Sequence, residues 1–148
     1  MTDEIEDLDM LNKVFKPYAY FKMVKRILIC DDDEDILSIC TYILEESGWE
    51  VHTRKHCKNI IETVEEIQPD IILMDNWIPD MGGIKATQAI KSRGELSNIP
   101  IIYFSANNEV EALSQAAGAD NFLAKPFDID ELEKVVSGFL KGEKIPQI

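Results

Sequence analysis

A chain of 148 residues and 16.9 kDa has room for one domain, not two. With 45% apolar and 29% charged residues it is neither a disordered chain nor a membrane protein. Its 28 Asp and Glu against 15 Lys and Arg give a formal charge of −13, which repels phosphate backbones and speaks against direct nucleic-acid binding. Such an excess serves solubility, or supplies carboxylates that cluster around a divalent cation; net charge does not choose between them.

Residues 1–23 read as an acidic N-terminal arm. Its first ten residues carry five acids, followed by Val14, Phe15, Tyr18, Tyr20 and Phe21 around Pro17. This start lacks the basic and then apolar order of a signal peptide, no apolar run reaches membrane length, and the expected compartment is the cytoplasm. Cys30, Cys40 and Cys57 lack metal-ligand spacing and are expected as two core thiols and one partly exposed.

From residue 24 the pattern is regular. Arg26 to Cys30 is a short apolar run, as in a strand buried on both faces, and it ends in Asp31-Asp32-Asp33. Ile36, Leu37, Cys40, Ile43 and Leu44 form a helical stripe that Gly48 stops. Glu50–Thr53 reads as a second strand, and Ile60 to Ile67 as a second helix closed before Pro69. Ile71 to Met74 is a third buried strand ending at Asp75. A turn over Pro79-Asp80-Met81-Gly82-Gly83 leads into a helix carrying Ile84, Thr87 and Ile90, which ends near Gly94. Ile99 to Phe104 reads as the fourth strand, with Pro100 near its start. Val110 to Ala117 is a helix closed by Gly118, and Asn121–Ala124 a fifth strand. Asp128 is placed to cap a last helix with stripe Leu132, Val135, Val136, Phe139 and Leu140. Five strands alternating with five helices predict an α/β fold: a doubly wound parallel sheet with helices on both faces. The domain is read as residues 24–142, and 143–148 as a tail.

Ligands of open parallel sheets collect at the carboxyl ends of the strands. Those ends here carry Asp31 and Asp32, then Asp75, Ser105 and Lys125. Three neighbouring carboxylates repel one another unless a cation joins them. Oxygen donors of this kind suit Mg²⁺, and also Mn²⁺. Asp32 and Asp75 are the expected direct ligands, Asp31 acts through water or charge, and the Trp77 carbonyl can turn in as a further ligand. A free Asp75 oxygen is then a nucleophile able to form an acyl phosphate, with Lys125, Ser105 and backbone N–H groups near Ala106 around the phosphoryl oxygens. On its own, the acid triplet reads equally well as a helix N-terminus.

The pieces ILICDDDED, IILMDNWIPDMGG, IIYFSA and NFLAKPF, in that order from about Lys25 to Leu140, resemble the receiver domain of bacterial two-component response regulators, of the stand-alone chemotaxis-regulator type. The resemblance implies a (βα)5 flavodoxin-like fold with strand order 2-1-3-4-5. It implies Asp75 as phosphoacceptor, Asp31 and Asp32 as the acidic pair placing Mg²⁺, and Lys125, before a cis bond to Pro126, as the phosphoryl-binding lysine. Ser105, where Thr is commoner, is implied as the switch hydroxyl, and Phe122 as the switch aromatic. Gly83 matches the glycine closing the loop after the phosphorylation site. Trp77 and Asn107 fall where side chains influence phosphoryl loss, and Trp77 is expected to screen the acyl phosphate from water.

The function so implied is a phosphorylation switch rather than a turnover enzyme. A sensor histidine kinase or phosphotransfer protein donates the phosphoryl group, and a downstream protein partner reads the changed surface. The face of the fourth helix, fifth strand and last helix is the expected site of partner binding or homodimerisation. One receiver plus a short arm uses the whole chain, so the response is expected to pass to another molecule. Two rival readings are a Mg²⁺-dependent phosphatase with an aspartyl nucleophile, which Asp31 and Asp33 superficially allow, and a degenerate receiver that only binds. His52 and His56 lie away from the acids and read as surface or structural residues.

Overall fold

The computed structural model describes residues 24–144. The arm at 1–23 and the last four residues lie outside the described residues. The elements are β1 (Arg26–Cys30), α1 (Glu34–Glu46), β2 (Glu50–Arg54), α2 (Ile60–Ile67), β3 (Ile71–Asp75), α3 (Gly83–Lys91), β4 (Ile101–Ser105), α4 (Val110–Ala117), β5 (Asn121–Ala124) and α5 (Ile129–Lys144). The strands form one parallel sheet in the order β2-β1-β3-β4-β5. No helix among the described residues is long and apolar enough to cross a membrane.

The two-residue period of the strands builds two cores. Ile27, Ile29, Ile71, Leu73, Ile102 and Phe104 face one way and pack under α1 and α5. Leu28, Cys30, Ile72, Met74, Ile101 and Tyr103 face the other way and pack under α2, α3 and α4. The central strands are therefore apolar at successive positions, and β3 and β4 are buried throughout. Fully burying one such Ile or Leu is worth about 1.5–3 kcal/mol.

Local signals set the ends. Asp33 Oδ1 accepts from the amides of Asp35 and Ile36 (2.9 and 3.4 Å) and starts α1. Asp128 and Glu131 exchange side-chain-to-backbone bonds (2.8 and 3.1 Å), a capping box that starts α5. The helix α5 runs to Lys144, two residues past the boundary expected at 142.

Two expectations are corrected. A 3-10 turn over Gly94–Asn98 follows α3. Lys91 Nζ donates to the carbonyls of Ser97 and Ile99 (3.1 and 2.8 Å) and holds that turn, so β4 starts at Ile101 and not Ile99. All three cysteines are buried, Cys57 included, because its N–H donates to the Pro79 carbonyl (3.2 Å) and tucks it under the β3–α3 loop. Burial raises all three thiol pKa values, Cys40 to about 11 and Cys57 to about 12.

The start of α3 presses against the end of β3. Gly83 N–H donates to the Asn76 carbonyl (3.1 Å). A Cβ at Gly83 would lie 2.2 Å from the Asp75 carbonyl oxygen and 2.9 Å from Asn76 Cα, both backbone atoms that cannot swing away. Gly83→Ala should therefore lower the unfolding free energy by about 1–3 kcal/mol or more, measured by chemical denaturation. An unchanged midpoint would show that the helix shifts freely.

Candidate active site

The carboxyl ends of β1, β3, β4 and β5 meet in a cleft of about 560 Å³. Asp31 follows β1 directly and is 1% exposed. Its amide donates to the Arg54 carbonyl (3.0 Å), extending the β1–β2 ladder by one bond, and its Oδ1 accepts from Asp33 N (2.9 Å). Asp75 closes β3 and is 6% exposed. Its Oδ2 accepts from Trp77 N (2.9 Å). Lys125 follows β5, where its amide donates to the Ser105 carbonyl (2.9 Å). Its ammonium donates to Asp31 Oδ2 at 2.6 Å and Asp75 Oδ1 at 2.8 Å. The same ammonium lies 4.5 Å from the Phe104 ring centroid, a cation–π contact. The bond between Lys125 and Pro126 is cis.

Asp32 is exposed at the rim. One oxygen each of Asp31, Asp32 and Asp75 lie within 4.8 Å of one another. These three carboxylates and the Lys125 ammonium together carry a formal charge of −2. A compact oxygen-donor set with that charge fits one hard divalent cation.

The electrostatics follow from burial and pairing. Burial raises the Asp75 pKa above the ordinary carboxylate value; the Lys125 hydrogen bond opposes this without cancelling it, and the Asp31 charge adds to the rise. Burial pulls Lys125 down, but its bonds to Asp31 and Asp75 outweigh that, so its pKa stands above the usual lysine value. Lys125 is thus held as a cation.

Ser105 is buried at the end of β4, and its Oγ accepts from Asn107 N (3.1 Å). The next helix begins at Val110, so Ser105 makes a local turn and does not cap it. Asn107 Oδ1 in turn accepts from Glu109 N (2.7 Å). Phe122 is half-buried on β5 opposite Tyr103 and packs into the core under α4, away from the carboxylates. Trp77 lines the cleft, but its side chain is 81% exposed. It does not cover the free Asp75 carboxylate. His52 Nε2 shares a 2.7 Å hydrogen bond with Glu50, also on β2, and does not line the cleft. So the structure brings together Asp31, Asp32, Asp75, Ser105 and Lys125, with Trp77 at the rim and Phe122 behind.

One contact escaped the sequence reading. Tyr103 is fully buried on β4, and its hydroxyl donates to Asn76 Oδ1. Burial and the nearby Asp75 charge push the phenol up to about 12. Asn76 follows Asp75, so this bond ties the backbone after the acid to the neighbouring strand. The only sequence signal was a polar hydroxyl in an otherwise apolar strand.

A profile of the response regulator receiver domain matches residues 27–137. The chain is 34% identical over 140 residues to the CAI-1 autoinducer sensor kinase/phosphatase CqsS of Vibrio cholerae, a match covering 93% of this chain and 20% of that protein. It is 33% identical over 120 residues to the regulatory protein AtoC of Escherichia coli, covering 80% of this chain and 26% of that one. The chain thus spans only a fifth to a quarter of these curated relatives. Among solved structures, the receiver domain of sensor histidine kinase PA1611 from Pseudomonas aeruginosa superposes with a TM-score of 0.74 at 26% identity, covering 80% of this chain and 98% of that one. That protein has a magnesium ion coordinated in its active-site cleft.

Two outcomes follow from this geometry. Asp75→Asn should stabilise the cation-free protein by roughly 1 kcal/mol at neutral pH, since it removes a charge that the fold disfavours. The folded pKa of Asp75 is raised, so the native state binds its proton more tightly than the unfolded chain does. The advantage of the variant is then full above the folded pKa and disappears as pH falls below the ordinary carboxylate range; melts with a chelator across pH test this. Tyr103→Phe should cost about 1 kcal/mol and speed hydrogen exchange over residues 76–82, with no such change elsewhere in β4.

Proposed function

This chain belongs to the response regulator receiver domain family of two-component signalling, and on that premise we propose that it is a phosphorylation switch whose acceptor is Asp75. The observation that carries the reading is the Lys125 ammonium held between Asp31 and Asp75, with Asp32 beside them.

The donor is a phosphohistidine on a sensor histidine kinase or phosphotransfer protein. An Asp75 oxygen forms a bond to phosphorus as the nitrogen–phosphorus bond of the donor breaks. The electron pair leaves on the imidazole. Asp75 is fixed for this because Lys125 and the Trp77 amide hold its two oxygens separately (2.8 and 2.9 Å). Lys125 can exchange its Asp75 bond for a phosphoryl oxygen while keeping Asp31, so its charge stays in place during transfer. Asp31, Asp32, Asp75 and the Trp77 carbonyl would hold Mg²⁺, or Mn²⁺, which when bound neutralises phosphoryl charge.

Ser105 gives up its bond from Asn107 N and donates its hydroxyl to a phosphoryl oxygen. The end of β4 and the start of α4 follow it, and Phe122 repacks against the moved backbone. Output is a changed surface on α4, β5 and α5, which a downstream protein or a second copy reads. The chain assists its own phosphorylation and is not a turnover enzyme. On this reading the chain works in the cytoplasm, where its phosphohistidine donor would be.

The phosphatase reading needs Asp33 as a free second acid. That carboxylate is engaged by two backbone amides as the cap of α1. A receiver that only binds would not need the complete set of three acids, serine and lysine.

Incubation with acetyl phosphate and Mg²⁺ should add one phosphoryl group to the wild-type chain and none to Asp75→Asn, by intact mass. Lys125→Met should slow the gain by on the order of 100-fold. Addition at a residue other than Asp75, or none at all, would overturn the assignment.

A further inference from the structure

The sheet edge opposite the carboxylates carries an open cleft of about 680 Å³ between the end of α2 and the 3-10 turn after α3. Its floor is apolar. Val64 and Pro69 are buried, and Leu96 and Ile99 are half-buried against the core under α2 and α3. Its rim is charged, with Glu65, Arg93 and Glu95 exposed, so acids exceed bases there.

We propose that this cleft is the docking site, within the same molecule, of the segment Lys13–Lys22. That segment reads KVFKPYAYFK: four aromatic residues, Val14, three lysines and no acid. Its aromatic side chains match the floor, and its lysines match Glu65 and Glu95. The strand register delivers it there. Asp70 N donates to the Arg26 carbonyl (2.8 Å), and Arg26 N donates to Asp70 Oδ2 (2.8 Å). Pro69, on the cleft floor, immediately precedes Asp70, so the chain enters β1 beside the cleft.

Only Lys22 and Met23 separate Phe21 from Val24, a reach of about 10 Å at most. So short a tether gives the segment an effective concentration on the order of millimolar, which favours its own cleft over that of another molecule. A separate observation concerns sequence likeness. The receiver profile begins at residue 27, but the match to the sensor kinase covers 93% of the chain and so runs into the first 23 residues. The proposal does not depend on the phosphoryl chemistry, which sits at the other end of the sheet.

Disulfide trapping in the full chain tests it, since Cys30, Cys40 and Cys57 are all buried and leave introduced thiols to react alone. Under mild oxidation with diamide, Ala19→Cys/Gln68→Cys should close within one molecule at least tenfold faster than Ala19→Cys/Glu46→Cys. Residue 46 ends α1 at the same edge but on the opposite face of the sheet. Replacing Phe15, Tyr18 and Phe21 by Ser should abolish that preference. Equal rates for the two pairs, or a preference that survives the serine replacements, would overturn the proposal. So would links formed only between molecules and rising with concentration, which would assign the cleft to a second copy.

Discussion

The arrangement at the carboxyl edge depends on one ammonium group. Lys125 Nζ lies within 2.8 Å of two carboxylates that belong to different strands, β1 and β3, while its own backbone belongs to the end of β5. Asp31 and Asp75 could not stand together in so little solvent without a cation between them. The lysine makes the cluster tolerable but does not neutralise it, and this residual negative charge prepares the cleft for a divalent cation. The same bonds hold down a weak part of the sheet. In β5 only Leu123 is buried, so this edge strand gains little from packing. Its end is fastened by the Ser105 carbonyl and by the two acids. The site and the edge of the fold are stabilised by one set of contacts.

Most of this was legible in the sequence because it rests on short-range pattern. The apolar runs Arg26–Cys30 and Ile71–Asp75, the stripe from Ile60 to Ile67 and the cap Asp128 are local signals, and each sits where its pattern placed it. The strand ends named Asp31, Asp75 and Lys125 together, because a parallel sheet aligns its carboxyl termini. The strand order came from family resemblance instead, since periodicity does not state which strands are neighbours.

What the pattern missed is set by contacts distant in sequence. The Tyr103–Asn76 bond crosses from β4 to the loop after β3. The burial of Cys57 depends on Pro79, twenty-two residues further along the chain. The delayed start of β4 depends on Lys91 reaching two carbonyls of a turn that has no strong propensity signal. Trp77 was read as a shield because it is bulky at a position where side chains influence phosphoryl loss; in the loop its neighbour Ile78 packs inward and the indole stands exposed.

The buried thiols shield the cluster beside them from the surroundings. All three stand well above the pKa of an exposed cysteine, and none reaches solvent. Thiolate, the form that reacts with peroxides and disulfides, is almost absent at neutral pH. Cys30 directly precedes Asp31, so an oxidised sulfur there would disturb the acid cluster. Burial keeps the acid cluster blind to the redox state of its surroundings.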